Sequence, residues 1–308
     1  MILNDNRIDA RDWSLLGVLS ILWGGSFFFN GAALRELPPF TLVFLRVMIG
    51  AALLLPLARA YRIGFPKGVA GWKPFFAIGL FNNVVPFSLI VMGQTHIPSG
   101  LASILNATTP LFTVVVMAVS GEERLEGRRI AGVVMGLLGM ILLRGADLEL
   151  LSGEGMGILL CLGGAFSYGL AALVARRLLA TAPPLGTATF QLVASTAMMA
   201  IVAGIAETPW RLPVPGAMTW FAVFGLAALS TALAYIVFFR ILRRSGATNV
   251  MLVTLLIPVT AILLGYLVLS EPISVREIVG ALVIGSALLL IDGRVLSLMP
   301  PATPTPRT

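Results

Sequence analysis

Ten continuous apolar stretches of about twenty residues, parted by short polar connections, constrain this chain more than any other feature. They fall at residues 13–34, 39–58, 72–93, 98–119, 128–144, 155–175, 185–206, 217–239, 246–269 and 275–292. A helix rises about 1.5 Å per residue, so about twenty apolar residues cross the hydrocarbon core of a bilayer. The runs do not alternate, which excludes the short dyad-patterned strands of an outer-membrane barrel. Composition agrees, with 58% hydrophobic and 11% charged residues; soluble domains hold under half and about a quarter. The sequence predicts an all-α integral membrane protein with ten transmembrane helices and no soluble domain of any size.

The connections are helix-breaking. Pro38-Pro39 opens the second stretch, Pro183 and Pro184 precede the seventh, and Pro213 and Pro215 the eighth. Proline suits a first helical turn, whose amides lack partners anyway. The first stretch carries Asp5, Asp9 and Asp12 beside Arg7 and Arg11, and it is too long for a cleaved signal peptide. Residues 295–308 hold four prolines and read as a disordered tail.

The net charge of +7 is spread singly and in pairs between apolar runs. That pattern speaks against nucleic acid and reports orientation instead. With the N-terminus placed in the cytoplasm, sixteen Lys and Arg residues lie on the cytoplasmic side. Arg35, Arg144, Arg211 and Arg276 lie opposite, and Arg46 falls within a span. By the positive-inside rule both termini are expected in the cytoplasm, and an even number of spans agrees.

The two halves share landmarks in the same order. Glu123-x4-Arg128-x-Ile130-x-Gly132 recurs 148 residues later as Glu271-x4-Arg276-x-Ile278-x-Gly280. Ser99-Gly100 with Pro110 matches Ser245-Gly246 with Pro258. Pro38-Pro39 matches Pro183-Pro184, and Gly24-Gly25-x-Phe27 matches Gly163-Gly164-x-Phe166. The expected organisation is a five-helix repeat over 1–148 and a second over 149–294. Five is odd, so the second repeat enters the membrane inverted. Inverted repeats characterise secondary transporters, with a substrate site near the midplane; a duplicated scaffold that transports nothing is the alternative.

The run Ile97-Pro98-Ser99-Gly100-Leu101-Ala102-Ser103, Thr109-Pro110-Leu111-Phe112, Gly121-Glu122-Glu123-Arg124-Leu125 and Gly132 resembles the signature of EamA-type permeases of the drug/metabolite transporter superfamily. Trp23-Gly24-Gly25-Ser26-Phe27 and Phe44-Leu45-Arg46 resemble that family's first- and second-helix motifs. His96 departs from it, where the family often has tyrosine. Within the family, the chain is most similar to the aromatic amino-acid exporters. The resemblance implies two inverted repeats around a central cavity lined mainly by helices 1, 3, 4, 6, 8 and 9. It also implies export of small hydrophobic or aromatic amino acids across a bacterial inner membrane. Another small metabolite or drug is the competing cargo.

All fourteen acidic residues fall at helix ends or in connections. A carboxylate within the membrane is the usual proton relay or cation site, so polyvalent cationic drugs and carboxylate-based proton antiport are disfavoured. Uniport or exchange is expected. Arg46 is the only formal charge inside a span, about 10 Å deep at the helical rise. It reads either as a partner for a substrate carboxylate or as a structural anchor.

Candidate substrate contacts are mid-span polar and aromatic residues. Trp23, Ser26, Phe27 and Asn30 share one face of helix 1. Asn82, Asn83 and Ser88 surround Pro86, whose missing amide frees a carbonyl. Ser103, Asn106, Ser167, Tyr168, Ser230, Tyr235, Thr248 and Asn249 complete the set. Each reads either as a substrate contact or as a hydrogen bond tying helices together. Pro86, Pro110 and Pro258, with Arg46 and His96, are candidates for gating or structural roles. A lone histidine and a lone cysteine, Cys161, suggest neither a metal site nor a cofactor. They also leave an intramembrane enzyme without nucleophile, base or acid pair. Gly132, Gly136 and Gly139 give helix 5 a small-residue face for packing within the bundle or in a homodimer.

Overall fold

A computed structural model describes residues 10–123, 127–144, 153–241 and 253–292. Among them every regular element is helical. In chain order they are α1 (Ala10–Ala33), α2 (Pro39–Ala60), α3 (Gly68–Gly93), α4 (Ser99–Val119), α5 (Gly127–Arg144), α6 (Gly153–Leu178), α7 (Pro184–Ala206), α8 (Ala217–Ile241), α9 (Val253–Leu269) and α10 (Val275–Asp292). Seven of these, α1 to α4 and α6 to α8, are long and apolar enough to cross a membrane; α9 is a shorter apolar helix, and α5 holds another over Arg129–Gly139. Each apolar stretch of the sequence falls on one helix, although residues 246–252 of the ninth lie outside the described residues, as does the tail.

Pro39 and Pro184 sit in the first turns of α2 and α7, where a missing amide removes no bond. Pro110 lacks the amide that would bond the Asn106 carbonyl. There α4 breaks at Ala107–Thr108, and the Thr109 hydroxyl takes the Asn106 carbonyl instead at 2.7 Å. Two helices widen into π segments, which the sequence reading did not anticipate. In α3 the π segment is Leu80–Val84, directly before Val85-Pro86, so the turn loosens where proline removes an α-helical bond. In α8 it is Gly225–Leu233. There the Thr231 hydroxyl donates to the carbonyl of Leu226, five residues back, at 2.9 Å, a side-chain insertion into the backbone ladder.

Helix α2 packs along α7 and α5 along α10, while α1 packs on α8 and α9 and α6 on α3 and α4. Glycines set the closest approaches. A Cβ on Gly93 of α3 would meet Cys161 Sγ of α6 at 2.6 Å, and one on Gly24 of α1 would meet Thr260 of α9 at 2.7 Å. The Gly132, Gly136 and Gly139 face of α5 is filled from within the chain, by Ile291 and Ile284 of α10 and Leu111 of α4. The outer faces expose Val18, Ile21, Leu53, Ile201, Ile205 and Leu267, apolar surface that suits lipid.

The two ends of the bundle are held differently. At the end where α1 stops, three carboxylates each cross from one half to the other and take free amides at a helix start. Glu207 accepts from Phe40 N, Thr41 N and the Thr41 hydroxyl at 3.0, 2.7 and 2.7 Å. Glu271 accepts from Ser99 N at 3.0 Å, and Glu36 from Gly216 N at 2.7 Å. Residues Pro38, Pro98 and Gly216 precede these helices and supply no side-chain cap. The distant carboxylates therefore satisfy amides that carry the positive end of the helix dipole. At the end where α1 begins, Glu122 and Glu123 pair with Arg176 and Arg177 at the end of α6. A cleft of about 480 Å³ also opens there, lined by Tyr61, Arg62, Phe75, Pro183, Thr187 and Phe190.

Candidate substrate site

Helix α2 turns Thr41, Leu42, Val43, Arg46, Val47 and Gly50 inward, and Arg46 is 6% exposed. Its Nε donates to Thr231 Oγ1 of the α8 π segment at 3.0 Å. Its Cζ lies 3.6 Å from the centroid of the Phe87 ring on α3, a cation–π contact strengthened by exclusion of water. The two terminal Nη nitrogens have no acceptor among the described residues. Among the described residues, the fully enclosed side-chain polar atoms without a partner are Asn30 Oδ1, Asn106 Oδ1, Arg129 Nε and Ser230 Oγ. The Arg46 nitrogens are not among these, so they border open space. The phenols of Tyr168 and Tyr235 lie close enough to feel this charge.

A hydrogen-bonded network continues from Tyr235, one turn beyond Thr231. Asn82 Nδ2 donates to Tyr235 Oη and to Gln191 Oε1, both at 3.2 Å. Tyr235 Oη donates to Asn83 Oδ1 at 3.3 Å, and Asn83 Nδ2 to Ser195 Oγ at 3.0 Å. The Ser195 hydroxyl lies 2.7 Å from the Gln191 carbonyl and 3.2 Å from that of Gly79. Both asparagines sit on the α3 π segment, whose widened turn brings adjacent side chains to one neighbour, α7. Asn82 Oδ1 remains without a partner among the described residues and is not sealed in, while the Gln191 amide also lies within reach of the Tyr235 phenol.

Aromatic rings extend from this centre. Tyr235 stacks on Phe239 (centroids 6.1 Å apart, 15° between planes), Phe239 meets Phe238 at 5.2 Å, and Phe238 meets Trp23 at 5.5 Å. Tyr168 packs against both large apolar clusters of the core. The polar centre thus gathers Asn82, Asn83, Tyr235 and Arg46, with Tyr168 beside it and Trp23 at the far end of the aromatic row.

The other candidates lie elsewhere. The Phe27 carbonyl accepts from Gln94 Nε2 at 2.9 Å and from the Ser99 hydroxyl at 3.1 Å, and Asn30 Nδ2 donates to Gln94 Oε1 at 2.9 Å. These bonds tie α1, α3 and α4 beside the Glu271 cap. Ser26 is buried. The Ser88 hydroxyl faces Met199 Sδ at 3.8 Å, Ser103 bonds the Gly100 carbonyl of its own helix, and Ser167 bonds the Phe81 carbonyl of the α3 π segment at 2.8 Å. Asn106 lies at the α4 break and Ser230 in the α8 π segment, each with an enclosed oxygen lacking a partner. Pro258 is buried inside α9. His96 is exposed beside Gly153 and Gly157 at the start of α6. Thr248 and Asn249 lie outside the described residues. Among the described residues no three His, Cys, Asp or Glu side chains gather as metal ligands would.

Gln191, Thr231, Phe87 and Gln94 were not foreseen. One signal for Gln191 stood in the sequence: it follows Pro184 by the interval that parts Arg46 from Pro39. The resemblance pointed to helices 1, 3, 4, 6, 8 and 9, whereas α2 and α7 supply Arg46 and Gln191.

A bundle of lipid-faced helices around a buried, open-ended cation and amide network defines a multi-pass membrane transporter. The family model of the EamA-like transporter family matches residues 13–145 and again 155–292, and the chain belongs to this family. It is 26% identical over 277 residues to the uncharacterized transporter YoaV of Bacillus subtilis (strain 168), covering 88% of this chain and 93% of that protein. It is 24% identical over 295 residues to the probable amino-acid metabolite efflux pump of Escherichia coli (strain K12), covering 92% and 95%. A chain of known crystal structure superposes with a TM-score of 0.63 at 24% identity, over 90% of this chain and 96% of that one, a likeness of fold.

Proposed function

We propose that this transporter exports small amino acids with hydrophobic or aromatic side chains across the bacterial inner membrane, both termini in the cytoplasm. The carrying observation is the Arg46 guanidinium, buried yet with its terminal nitrogens without an acceptor among the described residues, its charge within reach of the Tyr168 and Tyr235 phenols. A planar fork of donors matches a carboxylate. The neighbouring aromatic row suits an apolar side chain, and the relative named as an amino-acid metabolite efflux pump supports the substrate class. Alternating access would rock two inverted five-helix repeats, 1–148 and 149–294, about this centre. The carboxylate caps at one end and the cleft at the other suit a protein that opens one end at a time. Transport runs as uniport or exchange, because no carboxylate of the sequence lies mid-span; we propose no cofactor, and a monomer or a homodimer as the working unit.

The test is flux in proteoliposomes across amino acids, sugars and nucleotides, with and without a pH gradient. Tryptophan, phenylalanine and leucine are expected to move without one. Flux confined to sugars or nucleotides would favour the second reading, an exporter of another metabolite. Obligatory drive by protons would overturn the coupling.

A further inference from the structure

We propose that the Arg46 centre recognises its substrate by the carboxylate alone, so that the α-ammonium group is dispensable. Apolar 2-oxo acids and N-acyl amino acids would then be carried at least as well as the parent amino acids. This rests on the reading that Arg46 lies in the transport site.

Charge balance carries the inference. Arg46 has no acidic partner among the described residues. The carboxylates of Glu36, Glu207 and Glu271 are engaged at helix starts, and those of Glu122 and Glu123 with arginines at the opposite end. The centre with no substrate is therefore cationic. A monocarboxylate makes it neutral, whereas a zwitterion leaves one net charge in a medium where an uncompensated charge is costly.

The hydrogen-bonding inventory points the same way. The donors left open are the two Arg46 Nη nitrogens, with the Tyr168 hydroxyl able to donate or accept beside them. One side-chain carbonyl, Asn82 Oδ1, is open as an acceptor. A carboxylate accepts several donors at once; an ammonium group needs about three acceptors once stripped of water. The surroundings therefore reward the anion and do little for the cation. The apolar body of the substrate would lie along Phe87 and the Tyr235–Phe239–Phe238 row.

The experiment uses the full chain in proteoliposomes with the membrane potential clamped at zero, comparing labelled phenylalanine, phenylpyruvate, N-acetylphenylalanine and phenethylamine. Phenylpyruvate and N-acetylphenylalanine should move at least as fast as phenylalanine, and phenethylamine should stay at background. Arg46→Gln should lower all three carboxylate fluxes about tenfold or more, with Arg46→Lys, which keeps the charge, in between. The ranking in the wild type stands whether or not either variant folds. Phenylalanine carried while both ammonium-free acids stay at background would overturn the inference and leave the amino-acid reading intact. Acid flux indifferent to both substitutions, at normal yield, would remove Arg46 from the site. No flux of any of the four would overturn the reading beneath both.

Discussion

Arg46 and Gln191 hold corresponding places in the two halves of the chain. Each lies seven residues beyond the second proline of its Pro-Pro pair, and each reaches across to a π segment of the other half. Arg46 Nε meets Thr231 at 3.0 Å, and Gln191 Oε1 meets Asn82 at 3.2 Å. One member is a fixed cation and the other a neutral amide. The pair is thus symmetric in position and asymmetric in charge.

Among the described residues, Thr231 is the only side chain that the Arg46 Nε reaches. Thr231→Val keeps the shape and removes the acceptor, leaving a charged donor unmet. A loss of about 1–3 kcal/mol is expected, read as a lower unfolding midpoint in detergent. Thr231→Ser, which restores the oxygen, should recover most of it. Equal midpoints for Val and Ser would remove this bond from the structural account.

The caps at the α1-stop end should act as latches. Glu271→Ala strips the Ser99 amide of its partner, and Glu207→Ala strips two. Losing a capping oxygen costs about 0.5–2 kcal/mol, so local opening should become about 2- to 30-fold more frequent. Cys161, fully buried beside Gly93, reports such opening. Maleimide labelling should be slow in the native chain and faster in Glu271→Ala by that factor. Unchanged labelling would make the cap purely local.

Membrane class and helix positions were legible in the sequence, because long apolar runs have few solutions, whereas Arg46 was left open between a substrate partner and a structural anchor. The partners of Arg46 were not legible. Thr231 lies 185 residues away, and the π segments that present it and Asn82 shift side-chain phase from the regular 3.6-residue turn. Of the two readings of Asn30, the bond observed is the one that ties helices together. Asn30 shares a helix face with Trp23, yet its amide goes to Gln94 beside the Glu271 cap. Spacing shows which residues share a face but not what that face meets.

At the other end, hydrogen bonding to Arg129, with Arg176 and the nearby charges adding to it, holds the Glu123 carboxyl below its ordinary value of 4.5. A depressed carboxyl stabilises the fold above its unfolded value and loses that contribution as pH falls through the folded one. Glu123→Gln should therefore lower the unfolding midpoint at pH 7, by about 1 kcal/mol or less because the pair is partly exposed. The difference from the native chain should shrink as pH drops below 4.5. A difference that persists unchanged in acid would point to packing instead.

Trp23 and Tyr168 separate stacking from packing. Trp23 ends the aromatic row at Phe238, and Tyr168 lies beside the cation. Aromatic pairs contribute about 0.5–1.5 kcal/mol beyond area burial. Alanine at either position should therefore weaken tryptophan flux about 2- to 13-fold, with alanine flux less affected. Equal losses for both substrates at normal yield would mark the two residues as packing groups.

The contact of α3 with α6 gives the sharpest steric prediction. A methyl group on Gly93 would lie 2.6 Å from Cys161 Sγ and 2.9 Å from the Gly157 carbonyl, both inside van der Waals contact. The sulfur belongs to a side chain that can be shortened; the carbonyl belongs to the helix backbone. Gly93→Ala should destabilise by about 1–3 kcal/mol, the usual range for overpacking. Cys161→Ala in the same chain removes the nearer obstacle and should recover part of the loss. Full recovery is not expected, because α3 must still move off the Gly157 carbonyl. The double-mutant cycle on unfolding midpoints measures the coupling. A coupling of zero would mean that the helices separate as units rather than clash at the sulfur, and labelling of Cys161 in Gly93→Ala would then rise.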